Sequence, residues 1–370
     1  MNNLLLKGES DVKFSIGDYF PALDGLRGLA ILMIILHHNF DFLSFTRPAW
    51  ISLDLFFVLS GFLITGILIK KRDSAHFLLN FYARRVLRIF PIYYLSIIIF
   101  LFILPNLIKY PIGLDYFISN QSWFWLEIQN WLFILKPNGN NNFLNHFWSL
   151  GLEEQFYLVS PWIILLIKKY QKIISFLLIT LLLLLIVRLL LWHFQFKNIS
   201  FINLYAFTRI DGLCVGSLLA IFRSQGSFEM TKFNRAISIS FLSLVFFAIP
   251  LLKLFCNARL PYLACCLYPL IAMFWGIIVW FSIRNKSLMY RIFNKRFLIY
   301  LGKISYGLYI FHWPVNRILQ LKLEIFNNHE YLFWNDLLLA LISTSIAILI
   351  STISYYTYEK YFLGLKRYFT

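Results

Sequence analysis

The chain has 370 residues, of which 60% are hydrophobic and 14% charged, with a formal net charge of +17. A soluble globular chain carries about 25% charged residues, so this composition excludes an ordinary soluble domain and is typical of a polytopic membrane protein. The positive charge lies in short clusters between apolar runs, which is how membrane topology is encoded, and this distribution argues against a nucleic-acid partner.

Apolar runs long enough to cross a bilayer recur along the chain, and about ten of them approach the ~20 residues that a spanning helix needs. They lie near residues 24–43, 50–69, 92–109, 147–167, 173–195, 204–222, 236–254, 263–283, 304–320 and 334–358. The sequence therefore predicts an all-α polytopic membrane protein. We expect one membrane domain over residues 1–370, with its helical core at about 20–360, and no soluble extracytoplasmic domain.

Basic residues fall mainly on one side of the membrane when the N-terminus is placed inside the cell. The inner segments contain the clusters at 70–72, 84–88, 168–172 and 366–367, whereas the outer segments hold scattered single residues. This asymmetry predicts that both termini are cytoplasmic. We also expect a multi-pass protein of the cell inner (plasma) membrane. Residues 115–135 are aromatic and only half apolar, and a full span there would invert every later loop. We therefore predict an outer re-entrant or interfacial segment.

The first span, LDGLRGLAILMIILHHN, places ionisable groups at membrane depth. Arg27 and His38 are eleven positions apart, which is three helical turns plus about 20°, so both side chains project from one face. Their Cα atoms would lie about 16 Å apart along the helix axis. Ionisable groups in a span are costly and by default mark a site, although an interfacial arginine and a capped histidine would give the same pattern.

Three arginines precede the third span in the stretch RRVLRIFP. Arg84 and Arg88 are four positions apart and share a helix face, and Arg85 follows Arg84 directly in the chain. Guanidinium groups bind phosphates bidentately, so this pattern suits a polyphosphate ligand. The alternative is a simple topological anchor at a cytoplasmic helix end.

A second polar group is predicted in the outer halves of several spans. Its members are His38, Asp54, Glu153, Glu154, Arg209, Asp211 and His312. Buried charges of both signs on separate helices must pair with one another or bind something. Each also has an ordinary structural interpretation: Arg209 with Asp211 as an ion pair, Asp54 as a stabiliser of its helix start, and His312 as a satisfied core imidazole.

Two other patterns are set aside. Ser60 in FFVLSGFLITG resembles a nucleophile motif, but a membrane helix lacks the required strand–turn–helix context, and the small residues there predict close helix packing. Cys265 and Cys266 lie in an apolar run without metal-ligand spacing, and no His and carboxylate cluster has such spacing either. We therefore predict no catalytic metal.

In chain order, these stretches resemble the acyltransferase 3 family of integral-membrane O-acyltransferases over nearly the full length. The matching pieces are the pattern of Arg27, ten residues and His38, then FFVLSGFLI, RRVLRIFPIYY, FWSLGLEEQFY, RIDGLCVGSLLA and GKISYGLYIFHWP. Several relatives carry a further helix and an extracytoplasmic SGNH-type hydrolase domain. This sequence ends at Thr370 without one and looks like the stand-alone form.

The resemblance implies transfer of an acyl group, usually acetyl, from cytoplasmic acyl-CoA to a hydroxyl of a cell-surface carbohydrate or glycolipid, such as lipopolysaccharide O-antigen or exopolysaccharide. It also implies that Arg84, Arg85 and Arg88 bind the phosphates of CoA, with Arg27 at the inner mouth of the path.

The predicted mechanism centres on His38, which acts either as general base on the acceptor hydroxyl or as a transient acyl carrier. Glu153 or Glu154 would orient its imidazole or accept its charge. The acceptor side would be formed by Arg209, Asp211 and His312. The alternative function is a secondary transporter or flippase for a lipid-linked glycan or acyl group, in which the charged residues relay protons.

Overall fold

The computed structural model describes residues 19–107, 114–136, 143–194, 206–226, 261–284, 287–323 and 332–369. Within these ranges the regular structure is entirely helical, which confirms the all-α prediction. The predicted span at 236–254 lies outside the described residues, as do the side chains of Cys265 and Cys266.

Long helices alternate with short ones along the described chain. They are α1 (Pro21–Asn39), α2 (Ser52–Lys71), α3 (Phe77–Ile98), α4 (Leu114–Ser119), α5 (Gln121–Trp125), α6 (Gln129–Leu135), α7 (Trp148–Leu166), α8 (Tyr170–His193), α9 (Ala206–Arg209), α10 (Asp211–Ser224), α11 (Pro261–Ser282), α12 (Leu288–Phe293), α13 (Arg296–Leu323), α14 (Leu332–Ser354) and α15 (Lys360–Leu365). A 3₁₀ segment (Ser44–Ile51) leads into α2. A π-helical turn (Ile99–Ile103) and a last turn (Leu104–Leu107) extend α3.

Four helices in the described ranges are long and apolar enough to cross a membrane: Ser44–Lys71, Phe77–Leu107, Tyr170–Leu191 and Phe333–Tyr368. The chain is thus a multi-pass membrane protein. Its most apolar window is 67% buried in Ser44–Lys71 but 22% buried in Tyr170–Leu191. Helix α2 therefore lies inside the bundle, whereas α8 presents most of its apolar surface outward, as a lipid-facing helix does.

Helices α1 and α13 pack with their backbones in contact. A methyl group on Gly28 would overlap the carbonyl oxygen of Leu298, and one on Gly302 would overlap the carbonyl oxygen of Asp24. Small residues permit such close crossings between membrane helices. This crossing sets α1, which bears Arg27 and His38, directly against the helix that bears His312.

Helices α2 and α10 pack in the same way. A methyl group on Gly61 would overlap the carbonyl oxygen of Leu213, and one on Gly216 would overlap that of Val58. The close packing predicted for FFVLSGFLITG is confirmed. It brings the first turn of α2, with Asp54, against the junction between α9 and α10.

Helix α3 begins at Phe77, well before the predicted start of its span at residue 92, so Arg84, Arg85 and Arg88 lie inside a continuous helix. The segment predicted to be re-entrant or interfacial forms the short helices α4, α5 and α6. It reaches the middle of α3, where the Tyr93 hydroxyl donates to the carbonyl of Phe124 at 2.8 Å and the Tyr94 hydroxyl donates to that of Trp125 at 3.0 Å.

Candidate functional site

Two imidazoles meet where α1 crosses α13. Nδ1 of His38 lies 2.9 Å from Nε2 of His312, and the two ring planes differ by only 3°. His312 is wholly buried, whereas His38 is partly exposed. The close α1–α13 packing thus sets the partly exposed ring of His38 against a second ring that is held in the core.

A third histidine, His146, completes this imidazole cluster of His38, His146 and His312. Its ring centroid lies 5.3 Å from that of His312, and its Nε2 is 3.2 Å from the carbonyl oxygen of Ile310. His146 was not among the predicted site residues, because it stands just before α7 in a stretch without apolar periodicity. The asparagine-rich sequence around it gave no signal of burial.

A polar stripe on α7, formed by Ser149, Glu153 and Tyr157, starts at this cluster. The three residues are spaced at four-residue intervals, so they share one helix face over about 12 Å. At one end, the Ser149 hydroxyl lies 2.6 Å from that of Tyr309. At the other end, Ser60 donates to Glu153 at 2.9 Å, and the Tyr157 hydroxyl is 3.1 Å from both.

The stripe ends at a cluster of positive charge. The guanidinium of Arg85 lies over the Tyr157 ring, 5.9 Å from its centroid. Electrostatic interactions join Glu153 to Arg27 and Arg88, and a lysine from the chain's last turn faces the same arginines. We call this set the cation cluster, and its members are Arg27, Arg84, Arg85, Arg88 and Lys366.

The cation cluster contains few direct ion pairs, although Glu153, Glu154 and Glu359 interact with its arginines electrostatically. Arg27 pairs with Asp24 at 3.4 Å. In the described part of the chain, the other four members have no carboxylate oxygen within ion-pair distance. The buried Nε of Arg85 also has no hydrogen-bond partner among the described residues. Cations gathered in this way repel one another, so the site is suited to a ligand with several negative charges.

The second carboxylate of the EEQ sequence, Glu154, interacts electrostatically with Glu127, with Glu153 and with Arg85. Glu127 lies between α5 and α6 and adopts φ 56°. An ideal Cβ on Gly151 would lie 2.6 Å from the carbonyl oxygen of Glu127, so only glycine lets the α5–α6 junction approach α7 this closely. Burial raises the pKa of Glu127 to about 7.

The ion-pair cluster, which we define as Asp54, Arg188, Arg209, Asp211 and Tyr268, lies apart from the stripe. Arg209 binds both carboxylate oxygens of Asp54, while Arg188 binds both of Asp211 at 2.6 and 2.9 Å. The guanidinium of Arg209 also stacks 3.8 Å from the centroid of Tyr268. All four charged side chains are at most 3% exposed.

These pairs differ from the expected ones. The ion pair considered between Arg209 and Asp211 is not formed, because the helix breaks at Ile210 and the two side chains face different neighbours. Arg188 was missed as a partner, since it stands alone in the apolar run of α8. Asp54 does lie in the first turn of α2, but its carboxylate is occupied by Arg209.

The structure also places the predicted orienting groups differently. His38 contacts His312, whereas Glu153 contacts Ser60 and Tyr157 nearer the cation cluster. His312, expected on the acceptor side, is wholly buried behind His38. Arg27, Glu153, Arg85 and Arg88 converge along one path, while Arg209 and Asp211 are separate from it. The acceptor-binding role of these two residues stays a prediction, and their full pairing favours a framework role instead.

Among the described residues, no group of His, Cys, Asp and Glu has the arrangement of a metal site.

The chain matches known proteins over most of its length. The family model described as "Acyltransferase domain" covers residues 20–356. The peptidoglycan O-acetyltransferase OatA of Listeria monocytogenes is 29% identical over 328 residues, which are 83% of this chain and 51% of the relative. The O-acetyltransferase OatA of Staphylococcus aureus is 29% identical over 317 residues, which are 80% of this chain and 50% of the relative. The chain thus spans about half the length of these curated relatives. No solved structure matches it.

Proposed function

We propose that this chain, which belongs to the acyltransferase 3 family, is an integral-membrane O-acyltransferase that transfers acetyl from acetyl-CoA to a carbohydrate hydroxyl. One observation carries the proposal. The α7 stripe places a row of polar side chains between the imidazole cluster, which includes the partly exposed His38, and a cation cluster with few direct ion pairs.

The donor would bind at the cation cluster. CoA carries a pyrophosphate and a ribose phosphate, whose charges would offset the repulsion among Arg84, Arg85, Arg88 and Lys366. Arg27 stands at the mouth of the path. It shares α1 with His38, about 16 Å away along the axis, which an extended pantetheine arm can follow. The thioester would then lie beside His38.

His38 would carry out proton or acyl transfer. As general base, its ring nitrogen takes the proton of the acceptor hydroxyl while the oxygen attacks the thioester carbonyl carbon. The carbon–sulfur bond then breaks, and the departing sulfur takes the proton as free CoA thiol. As acyl carrier, the same nitrogen attacks first and the hydroxyl attacks second. In either case Glu153 and Tyr157 line the path between donor phosphates and imidazole.

The membrane arrangement supported by the charge pattern has about ten spans in the inner membrane, one domain and both termini in the cytoplasm. The cation cluster then opens to the side where CoA occurs, and His38 lies nearer the side where surface glycans are assembled. The name of the Listeria relative specifies peptidoglycan. For this chain we propose a cell-surface carbohydrate, with O-antigen, exopolysaccharide and peptidoglycan as the acceptors to test.

The experiment measures release of free CoA thiol by the detergent-purified protein, given acetyl-CoA and a panel of glycan acceptors. An enzyme turns over without a membrane gradient, whereas a transporter releases no thiol. We expect His38→Ala and Arg27→Ala each to abolish turnover at normal protein level, and His193→Ala, which removes an exposed imidazole at the end of α8, to leave it unchanged. Full turnover in His38→Ala would remove this residue from the mechanism. If no acceptor in the panel supports release of the CoA thiol, the proposed reaction is wrong.

A further inference from the structure

We infer that His312 is a positioning residue that fixes the tautomer of His38, so that Nε2 of His38 is the atom that accepts the proton or the acyl group. This inference rests on the proposed function. It assigns a role to His312, whose side chain is wholly buried and cannot touch the substrate.

Two backbone carbonyls of α13 fix the position of the proton on His312. Its Nδ1 lies 2.7 Å from the carbonyl oxygen of Tyr309 and 3.1 Å from that of Leu308. Carbonyl oxygens only accept hydrogen bonds, so Nδ1 must carry the proton that both contacts share. In a neutral imidazole the other nitrogen, Nε2, then presents a lone pair.

The tautomer of His312 then determines the tautomer of His38. Its Nδ1 faces the lone pair on Nε2 of His312 at 2.9 Å, and must therefore be the donor. Nε2 of His38 is then left with the lone pair of a base or nucleophile. The polarity runs in one direction only, from His38 through His312 to the backbone carbonyls of α13.

The opposite polarity would need a protonated, cationic His312. That ring is wholly buried, and the ionisable groups that face His38 in the described part of the chain are the imidazoles of His37, His146 and His312. A buried cation without a carboxylate at contact distance is strongly unfavourable. The neutral pair, with the proton on Nδ1 of each ring, is the arrangement that the site supports.

The geometry is that of an orienting contact. The ring centroids are 5.2 Å apart, which equals the 2.9 Å nitrogen–nitrogen distance plus the two ring radii, and the planes differ by 3°. The hydrogen bond therefore lies in the plane of both rings, where it is strongest. Trp313, with its ring 4.8 Å from that of His38, restricts rotation from the side.

The chemistry uses the same contact. When Nε2 of His38 takes the hydroxyl proton, the resulting imidazolium keeps its Nδ1–H bond to His312, which stabilises the new charge. If Nε2 attacks the thioester carbon instead, the carbon–sulfur bond breaks and the thiolate of CoA leaves, while the acyl-imidazolium keeps its Nδ1 proton, whose hydrogen bond to His312 stabilises the charge. The acceptor oxygen then takes the acyl group, the bond to Nε2 breaks, and the thiolate takes the hydroxyl proton, which restores neutral His38. The role of His312 resembles that of the buried group in a catalytic triad.

Two amide variants test the inference. In His312→Asn the amide can replace Nδ1 and donate to the carbonyl of Tyr309, but it does not reach His38. In His312→Gln the amide oxygen can replace Nε2 and accept from His38. We expect kcat to fall about 100-fold in His312→Asn, with the KM for acetyl-CoA within twofold of wild type, and His312→Gln to recover most of the loss. A residue that only fills space or caps the backbone predicts that Asn is the better substitute, and that result would overturn the inference.

A measurement on the wild-type protein keeps the test independent of variant folding. In protein labelled with ¹⁵N-histidine, we expect His38 to be in the Nδ1–H form, and finding the proton on Nε2 would refute the assignment. The two proposals fail differently. Turnover by His38→Ala would refute the proposed mechanism. An inactive His38→Ala variant together with a fully active His312→Asn variant would refute only the role of His312.

Discussion

The protein contains two clusters of arginine side chains that differ in whether carboxylates pair with them. In the ion-pair cluster, Arg188 and Arg209 each bind a carboxylate through two nitrogens, and neither is more than 3% exposed. In the cation cluster, Arg84, Arg85 and Arg88 have no carboxylate within ion-pair distance among the described residues. The clusters also differ in exposure, because the arginines of the ion-pair cluster are buried whereas Arg84, Arg85 and Arg88 are partly exposed.

The contrast distinguishes arginines that stabilise the fold from arginines that can bind a ligand. A buried guanidinium whose two terminal nitrogens bind one carboxylate has its charge balanced, and removing its partner leaves an uncompensated charge. A guanidinium without a partner among like charges gains by binding an anion, and removing it relieves repulsion. Stability measurements should therefore respond to the first cluster, and donor affinity to the second.

The largest effect is expected from breaking a framework pair. Arg188→Met leaves Asp211 buried and unpaired, which should cost about 3–5 kcal/mol of unfolding free energy. Thermal unfolding of the detergent-solubilised protein measures this loss. The double variant Arg188→Met with Asp211→Leu should regain most of it, because no lone charge remains. Equal loss in the single and double variants would contradict the framework interpretation.

The next effect concerns the cation cluster. Arg84→Ala combined with Arg88→Ala should weaken acetyl-CoA binding by about 2–4 kcal/mol, since two charge-assisted contacts are lost. The unfolding temperature should stay the same or rise, because like charges are removed. Calorimetric titration of acetyl-CoA, with the unfolding curve as control, measures both. Unchanged affinity would return these arginines to a topological role.

A smaller effect is expected at Lys366, the member of the cation cluster that lies farthest along the chain. Lys366→Ala should reduce donor affinity by about 1 kcal/mol, because a flexible lysine on a partly exposed turn holds a phosphate less firmly than arginine does. Lys366→Arg should retain affinity. The matched control is Arg367→Ala, which removes an exposed neighbouring cation. Equal losses in Lys366→Ala and Arg367→Ala would indicate only general attraction to a basic surface.

The smallest effect is expected at Arg72, a cation that already has partners. It lies 3.8 Å from Asp73 and donates to the carbonyl of Lys168 at 3.0 Å. Arg72→Ala should change donor affinity by less than about 0.5 kcal/mol. A loss as large as that of the Arg84 and Arg88 double variant would mean that partner satisfaction does not distinguish binding from framework cations.

Much of the site was predictable wherever the evidence lay within one helix. The shared face of Arg27 and His38, the Arg84 and Arg88 pair, and the close packing through Gly61 follow from helical periodicity and side-chain size. The family resemblance, read from the ordered motifs, is confirmed by the match over residues 20–356.

Contacts between distant parts of the chain were not predictable. His38 and His312 are 274 positions apart, and Asp54 and Arg209 are 155 apart, so no local pattern links them. The sequence suggested instead the nearest charges in the chain, such as Arg209 with Asp211. Lys366 was counted only as a topological charge, because nothing local shows that the last turns fold back against α3.

The pairing order in the ion-pair cluster has a consequence for biogenesis. Arg188 and Asp211 are 23 positions apart, so the ribosome delivers both within one hairpin of α8 and α10, and they can enter the lipid as a neutral unit. Asp54 is synthesised 155 residues before Arg209 and has no such neighbour at emergence. Since a lone carboxylate is costly at bilayer depth, we expect α2 to stay at the translocon or with an insertion chaperone until α9 arrives.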